Sequence, residues 1–179
     1  MKHLVIFGAP GSGKGTQAKL ISQSYKLKHI SVGQILRKAI EDNHPLSKKL
    51  QKKMFKGDLV SDKIVNKIIE DNIIESEENF IFDGYPRNLK QAKHLDEIIG
   101  RFNVRCLNLK VSKKEVIKRL SLRGRNDDEE KNVKRRWKTY KRNTKPLLHY
   151  YKKTKRLLEV SGEGDIEDIF KNINKLINP

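Results

Sequence analysis

Gly8-Ala9-Pro10-Gly11-Ser12-Gly13-Lys14-Gly15-Thr16 stands between the apolar run Leu4-Val5-Ile6-Phe7 and a helical pattern carrying Ala18, Leu20 and Ile21. The order is strand, loop, helix. Glycines without Cβ let the chain curl, so that successive backbone N–H groups turn inward around a phosphate, and the helix N-terminus that follows adds partial positive charge. Lys14 supplies a full charge. The spacing from Gly8 to Gly13-Lys14 fits the phosphate-binding P-loop, with Gly15 in the usual Ser/Thr position and Thr16 one place later. A hydroxyl directly after the lysine normally reaches Mg²⁺. Here the metal is expected to be held by the nucleotide, by water and by a carboxylate elsewhere in the chain. An ordinary glycine-rich turn is the bland alternative, and the flanking strand and helix patterns argue against it.

Outward from this loop, short apolar runs at Leu4 to Phe7, Phe80 to Phe82, Val104 to Leu109 and Leu157 to Val160 alternate with longer helix-like segments, and a short strand is expected near Lys28 to Ile30. Helical spacing covers about 14–24, 32–42, 46–55, 62–74, 89–99, 113–122, 131–151 and 166–177. Strands separated by crossover helices predict an α/β protein: a P-loop NTPase-type parallel sheet with helices on both faces and the loop at the carboxyl end of the first strand. Two interruptions stand out. Mostly helical sequence between the strands near 30 and 80 reads as an insertion, assigned to about 31–60. The polar stretch 123–131, with Gly124, Asn126, Asp127, Asp128, Glu129 and Glu130, reads as a short loop beside the site. No repeat or low-complexity segment is evident.

A length of 179 residues suits a single domain, 1–179. The formal charge of +18 is compatible with a nucleic-acid binder, but its lysines are spread over nearly every helix. A positive field also concentrates anionic nucleotides without any polynucleotide partner. Trp137, Tyr140, Tyr150 and Tyr151 fall at helical spacings that packing explains. Cys106 is the one cysteine, set among Val104, Leu107 and Leu109, so it reads as a core side chain, and neither an internal disulfide nor a Cys-based zinc site is expected. No secretory h-region and no 18-residue apolar span is present, which points to a reducing cytoplasm and no membrane partner.

Asp83-Gly84-Tyr85-Pro86-Arg87 forms the second constellation: a strand-end carboxylate suited to ordering water around Mg²⁺, and an arginine suited to clamping a phosphate bidentately. With both constellations in hand, the chain resembles the adenylate kinase family of nucleoside monophosphate kinases over almost its whole length. The P-loop, Ile35-Leu36-Arg37, Gly57-Asp58-Leu59-Val60-Ser61-Asp62, and Asp83 to Arg87 with Gln91 occur in the family's order. Arg119 and Arg123 look like the family's adenine-side and phosphate-side arginines of the ATP site, and Arg125 and Arg136 like those that close over the reacting phosphates. Gly164 sits where the family presents backbone to the ATP adenine.

The resemblance implies reversible phosphoryl transfer from MgATP to AMP, giving two ADP. Gly11, Ser12, Gly13, Lys14, Gly15, Thr16, Arg119, Arg123 and Gly164 are then expected on the ATP side. Val32, Arg37, Asp58, Leu59, Val60, Gly84, Tyr85, Pro86, Arg87, Gln91, Arg125 and Arg136 are expected on the AMP side. Lys14, Asp83, Arg87, Arg123, Arg125 and Arg136 would serve the transfer itself, with Asp83 ordering the metal's waters and no direct protein ligand to Mg²⁺. The insertion at 31–60 and the lid at 123–131 would close over the two nucleotides. The lid is too short for the longer family members' zinc-bearing domain, so no zinc is expected, and the chain is taken as a monomer without nucleic-acid partners.

Two residues depart from the family's Thr-Gly-Asp pattern: Val32 removes a hydroxyl, and Gln34 replaces a carboxylate. Losing one hydrogen bond of about 1 kcal/mol loosens acceptor binding. A UMP/CMP kinase of the same fold is therefore an alternative, as is a basic, noncatalytic, nucleotide-responsive nucleic-acid binder. Gln91, with both a donor and an acceptor to read adenine, favours AMP.

Overall fold

In the computed structural model, which describes residues 2–74, 76–123 and 130–178, the first strand β1 (His3–Gly8) is buried along its whole length. Its alternating side chains feed two cores: Val5 and Phe7 join one apolar cluster, Leu4 and Ile6 the other. This is why the strand reads as a continuous apolar run. After α1 (Lys14–Tyr25) come β2 (Lys28–Ser31), α2 (Val32–Glu41), α3 (Ser47–Phe55), α4 (Asp62–Ile73) and β3 (Phe80–Asp83). The chain continues through α5 (Leu89–Ile99), β4 (Val104–Lys110), α6 (Lys113–Arg123), α7 (Glu130–Lys153), β5 (Leu157–Ser161) and α8 (Ile166–Ile177).

The sheet is parallel, in the order β2-β3-β1-β4-β5. Val5 lies opposite Phe82 on one side and Cys106 on the other. On one face, Ala18 and Ile21 of α1 and Ile169, Ile173 and Ile177 of α8 pack with Leu4, Ile6, Ile81 and Leu107. The three α8 isoleucines recur every four residues, so one stripe of the helix is sealed against the sheet, each side chain contributing about 1.5–3 kcal/mol. A charge at Ile173 would undo that docking. Residues of α2, α4, α5 and α7 cover the opposite face.

From β1 the chain runs first to the edge strand β2, returns to place β3 between the two, then crosses to the other side of β1 for β4 and β5. Such a switch point opens a crevice at the carboxyl edge of a parallel sheet. Gly8, Ser31 and Asp83 all end their strands on that edge. At the opposite edge a buried ion pair ties three elements together. Arg156, just before β5, donates to both Asp96 oxygens at 2.7 Å and to the Arg101 carbonyl at 2.8 Å, and the Tyr150 hydroxyl of α7 donates to Asp96 at 2.6 Å. Cys106 is fully buried, as its neighbours predict.

Candidate active site

The glycines of the P-loop meet two different constraints. Gly11 has φ +80° and Gly13 φ +90°, a left-handed conformation that a side chain resists. At Gly11 there is also no space, because an added Cβ would lie 2.7 Å from Leu120 Cγ of α6. Gly13 immediately precedes α1, so the turn delivers the loop's N–H groups to the helix start. The Ser12 N–H donates to the Ala9 carbonyl at 3.0 Å, tightening the curl, while the Ser12 side chain is buried beneath it.

Lys14 donates its Nζ proton to the Ala9 carbonyl at 2.9 Å. Burial lowers its pKa to about 8; Asp83 opposes the shift, while Arg87, Arg136 and Arg123 add to it. Four cations and one carboxylate therefore act on one another in this crevice. Arg87, whose side chain is open to the cleft, is also lowered by its protein surroundings and by Arg136 and Arg37, against Asp83. A guanidinium stays charged through such a shift.

Asp83 is approached from two sides. Ser31 Oγ donates to its Oδ2 at 3.4 Å, and a Cβ on Gly15 would meet the same oxygen at 3.4 Å, ordinary van der Waals contact, so the carboxylate lies against the start of α1. His29 Nε2 is 3.9 Å from Oδ2, but burial holds the imidazole below its ordinary pKa despite Asp83. At neutral pH His29 is uncharged, and the contact is not an ion pair. Among the described residues no group of three or more His, Cys, Asp or Glu side chains is placed to hold a metal.

The Arg87 side chain is braced by its own turn, Nε donating to the Gly84 carbonyl at 2.9 Å. Across the cleft the Arg37 guanidinium lies over Gly33, 3.5 Å from where a Cβ there would sit. Between them Gln91 is buried in the first turn of α5. Its side-chain oxygen accepts from the Arg87 N–H at 2.7 Å and its Nε2 donates to Asp62 at 2.7 Å. Val32 and Val60, both buried, give this side an apolar wall. On the other side, Arg119 of α6 donates to Glu115 at 2.7 Å and to the Ser12 carbonyl at 3.4 Å, which sets it over the loop.

These groups line one cleft of about 860 Å³. Gly11, Gly13, Lys14, Gly15, Thr16, Arg119 and Arg123 reach it, as do Val32, Arg37, Asp58, Leu59, Val60, Asp83, Gly84, Pro86, Arg87, Gln91 and Arg136. Three expected residues are not in its wall. Ser12 is buried under the loop. Tyr85 turns into the core, its hydroxyl 3.1 Å from both Asn66 Oδ1 and the Gln91 carbonyl. Gly164 has φ +108° with open space around it. Arg125 lies outside the described residues.

The sequence offers Ser31 only as a substitute for the hydroxyl missing at Val32, Tyr140 only as packing, and gives the others no role, yet the cleft is also lined by Ser31, Met54, Thr139, Tyr140, Asn143 and Thr144. The last four follow Arg136 at helical spacing on α7, a signal present in the sequence. The start of α7 also touches Lys56 and Gly57. Arg135 donates to the Lys56 carbonyl at 3.3 Å, and a Cβ on Gly57 would lie 2.6 Å from Arg136 Cγ.

A parallel sheet with a glycine-rich loop, its lysine and a strand-end aspartate gathered at the switch point defines an α/β P-loop kinase fold. The adenylate kinase family model matches residues 6–156. Two proteins called adenylate kinase are each 41% identical to the chain: that of Prochlorococcus marinus strain MIT 9301, over 97% of both chains, and that of Leptospira biflexa serovar Patoc strain Patoc 1 / Ames, over 99% of this chain and all of the relative. The adenylate kinase of Petrotoga mobilis is 34% identical over 98% of this chain and 97% of its own. The chain belongs to the adenylate kinase family.

Proposed function

We propose that the chain transfers a phosphoryl group reversibly from ATP to AMP, yielding two ADP. One observation carries this reading beyond family membership: Lys14, Arg87, Arg123 and Arg136 act on one another around Asp83 within a single cleft. Phosphoryl transfer needs positioning and charge neutralisation, and a cluster of cations large enough to repel itself is suited to a substrate that brings many negative charges. In the reaction an oxygen of the AMP phosphate attacks the γ-phosphorus of ATP in line, the bond from that phosphorus to the β-bridging oxygen breaks, and its electrons leave with ADP.

Lys14 would stay with the transferring group. Arg37 and Arg87 would hold the acceptor phosphate, and Arg123, Arg125 and Arg136 would enclose the charge that develops. Arg119 would flank the donor base, and Gln91, against the apolar wall of Val32 and Val60, would read the acceptor base. Residues 31–60 would close over the acceptor and 123–131 over the donor, a motion consistent with the contact between Gly57 and Arg136.

A lone carboxylate beside the phosphate loop fits a magnesium ion that arrives on the nucleotide and keeps its water shell, since Mg²⁺ dehydrates reluctantly and binds through few protein groups. Asp83 would hold those waters, with Ser31 fixing its carboxylate. When bound, the ion would neutralise charge on the donor phosphates. The lone buried cysteine leaves no partner for a disulfide within the chain, which suits a reducing cytoplasm.

The test is kcat/KM for AMP, CMP, UMP and GMP with MgATP as donor. AMP is expected to lead by at least about tenfold, the value of one base-edge hydrogen bond. A preference for CMP or UMP would reassign the acceptor.

A further inference from the structure

The side chain of Gln91 is held in one orientation by partners that cannot exchange roles. Its oxygen faces the Arg87 backbone N–H, a group that only donates, at 2.7 Å. Its nitrogen faces Asp62 Oδ1 at 2.7 Å, and a carboxylate only accepts. Rotating the amide by half a turn would set N–H against N–H and oxygen against carboxylate, in a buried site where an unmet polar group costs most. The same Asp62 oxygen also accepts from Asn88 Nδ2 at 2.8 Å, and Asn88 Oδ1 caps α5 through the Gln91 N–H at 2.9 Å. Asp62, the first residue of α4, thus fixes the Gln91 side chain and the helix end that carries it.

We infer that Asp62 is a positioning residue for acceptor-base selectivity: it orients the Gln91 amide so that only a base with an amino group beside a ring-nitrogen acceptor is matched. This rests on the proposal that Gln91 reads the acceptor base. After its two fixed bonds Gln91 retains one N–H and one oxygen lone pair, and it lines the cleft. Adenine offers the complement, an acceptor at N1 beside donors at N6. Hypoxanthine has the same purine outline with the roles reversed, N1–H beside O6. With the acceptor phosphate held by Arg37 and Arg87, the base arrives in a fixed frame, so the order of donor and acceptor decides the fit. An amide free to rotate would serve both bases.

The test compares AMP with inosine monophosphate, because the ratio of their kcat/KM values on one preparation cancels any loss of folded protein. Asp62→Asn keeps the side chain's size but lets position 62 donate as well as accept, so one of the two partners no longer dictates the amide's orientation and the Arg87 N–H alone holds it. The AMP to IMP ratio should fall by about tenfold while the KM for ATP is unchanged. Asp62→Leu is the second variant, should the asparagine form fail to fold, and is expected to lower the ratio similarly. A purely structural role for Asp62 would depress both acceptors together and leave the ratio intact. If Gln91→Leu collapses the ratio and the Asp62 variants do not, Asp62 is not the orienting group. If Gln91→Leu also leaves the ratio unchanged, Gln91 does not read the base, and the inference falls with that reading.

Discussion

Replacing Lys14 with methionine separates charge from packing, because the two side chains fill similar volumes. Burial lowers the Lys14 pKa from 10.5 to about 8, with Asp83 opposing and three arginines reinforcing the shift. At about 1.36 kcal/mol per tenfold change, holding the charge in the folded protein at pH 7 costs at most about 3 kcal/mol, and solvent in the open cleft reduces this to about 1–2 kcal/mol. The folded pKa lies below the unfolded one, so the cost is fully present below about pH 8 and fades as pH rises from about 8 to 10.5. Against it stands the hydrogen bond to Ala9, worth about 1 kcal/mol. Lys14→Met should therefore leave stability at pH 7 unchanged or raise it by up to about 1 kcal/mol, a Tm gain of no more than about 4 °C. Turnover should fall by about 10²- to 10³-fold, as for removal of another preorganised charge-stabilising group. A thermal melt paired with a coupled ADP-formation assay reads both quantities. A fall in Tm of about 8 °C or more would make Lys14 a structural residue, and turnover within tenfold of wild type would remove it from the reaction.

Three further outcomes follow from the same geometry. Gly11→Val places a side chain at φ +80° against Leu120, so it should raise the KM for ATP and cost about 1–3 kcal/mol in a denaturant titration. Asp96→Asn leaves Arg156 buried without its counter-charge, which should cost about 3–5 kcal/mol in a thermal melt while kcat below the transition is retained. A bisubstrate analogue joining two adenosines through five phosphates should slow hydrogen exchange in both 31–60 and 123–131, whereas ATP alone should protect chiefly 123–131 and AMP alone chiefly 31–60.

Much of the fold is local in origin and so was readable. The change from a continuous apolar run in Leu4 to Phe7 to helical spacing after Lys14 marks β1, the loop and α1, and the strand near residue 28 is present as β2. Expected helix boundaries fall within about two residues of those observed, and Gly13, Ser31, Ser61, Asn88 and Gly100 mark several of them. Strand order is a nonlocal property, and parallelism followed only from the crossover pattern. Within the cleft, what escaped the sequence depends on which way a side chain points. Tyr85 sits between two cleft residues, Gly84 and Pro86, yet its ring turns into the core, where Asn66 and the Gln91 carbonyl meet its hydroxyl. Gln91 was legible as a candidate reader of the base, but its dependence on Asp62 was not. The two lie 29 positions apart and meet only because α4 and α5 pack together. On α7, Thr139, Tyr140, Asn143 and Thr144 follow Arg136 at helical spacing, but Tyr140 reads as packing and the other three carry no motif that marks them off in a basic helix.

Direct transfer between two nucleotides in one cleft is tested by following the label from [γ-³²P]ATP in the presence of AMP and Mg²⁺. The label should appear in the β-phosphate of ADP made from AMP, with two ADP formed for each ATP consumed and no radioactivity on the protein after acid quench. Release of the label as inorganic phosphate with AMP unchanged, or its retention on the protein as an intermediate, would contradict the account.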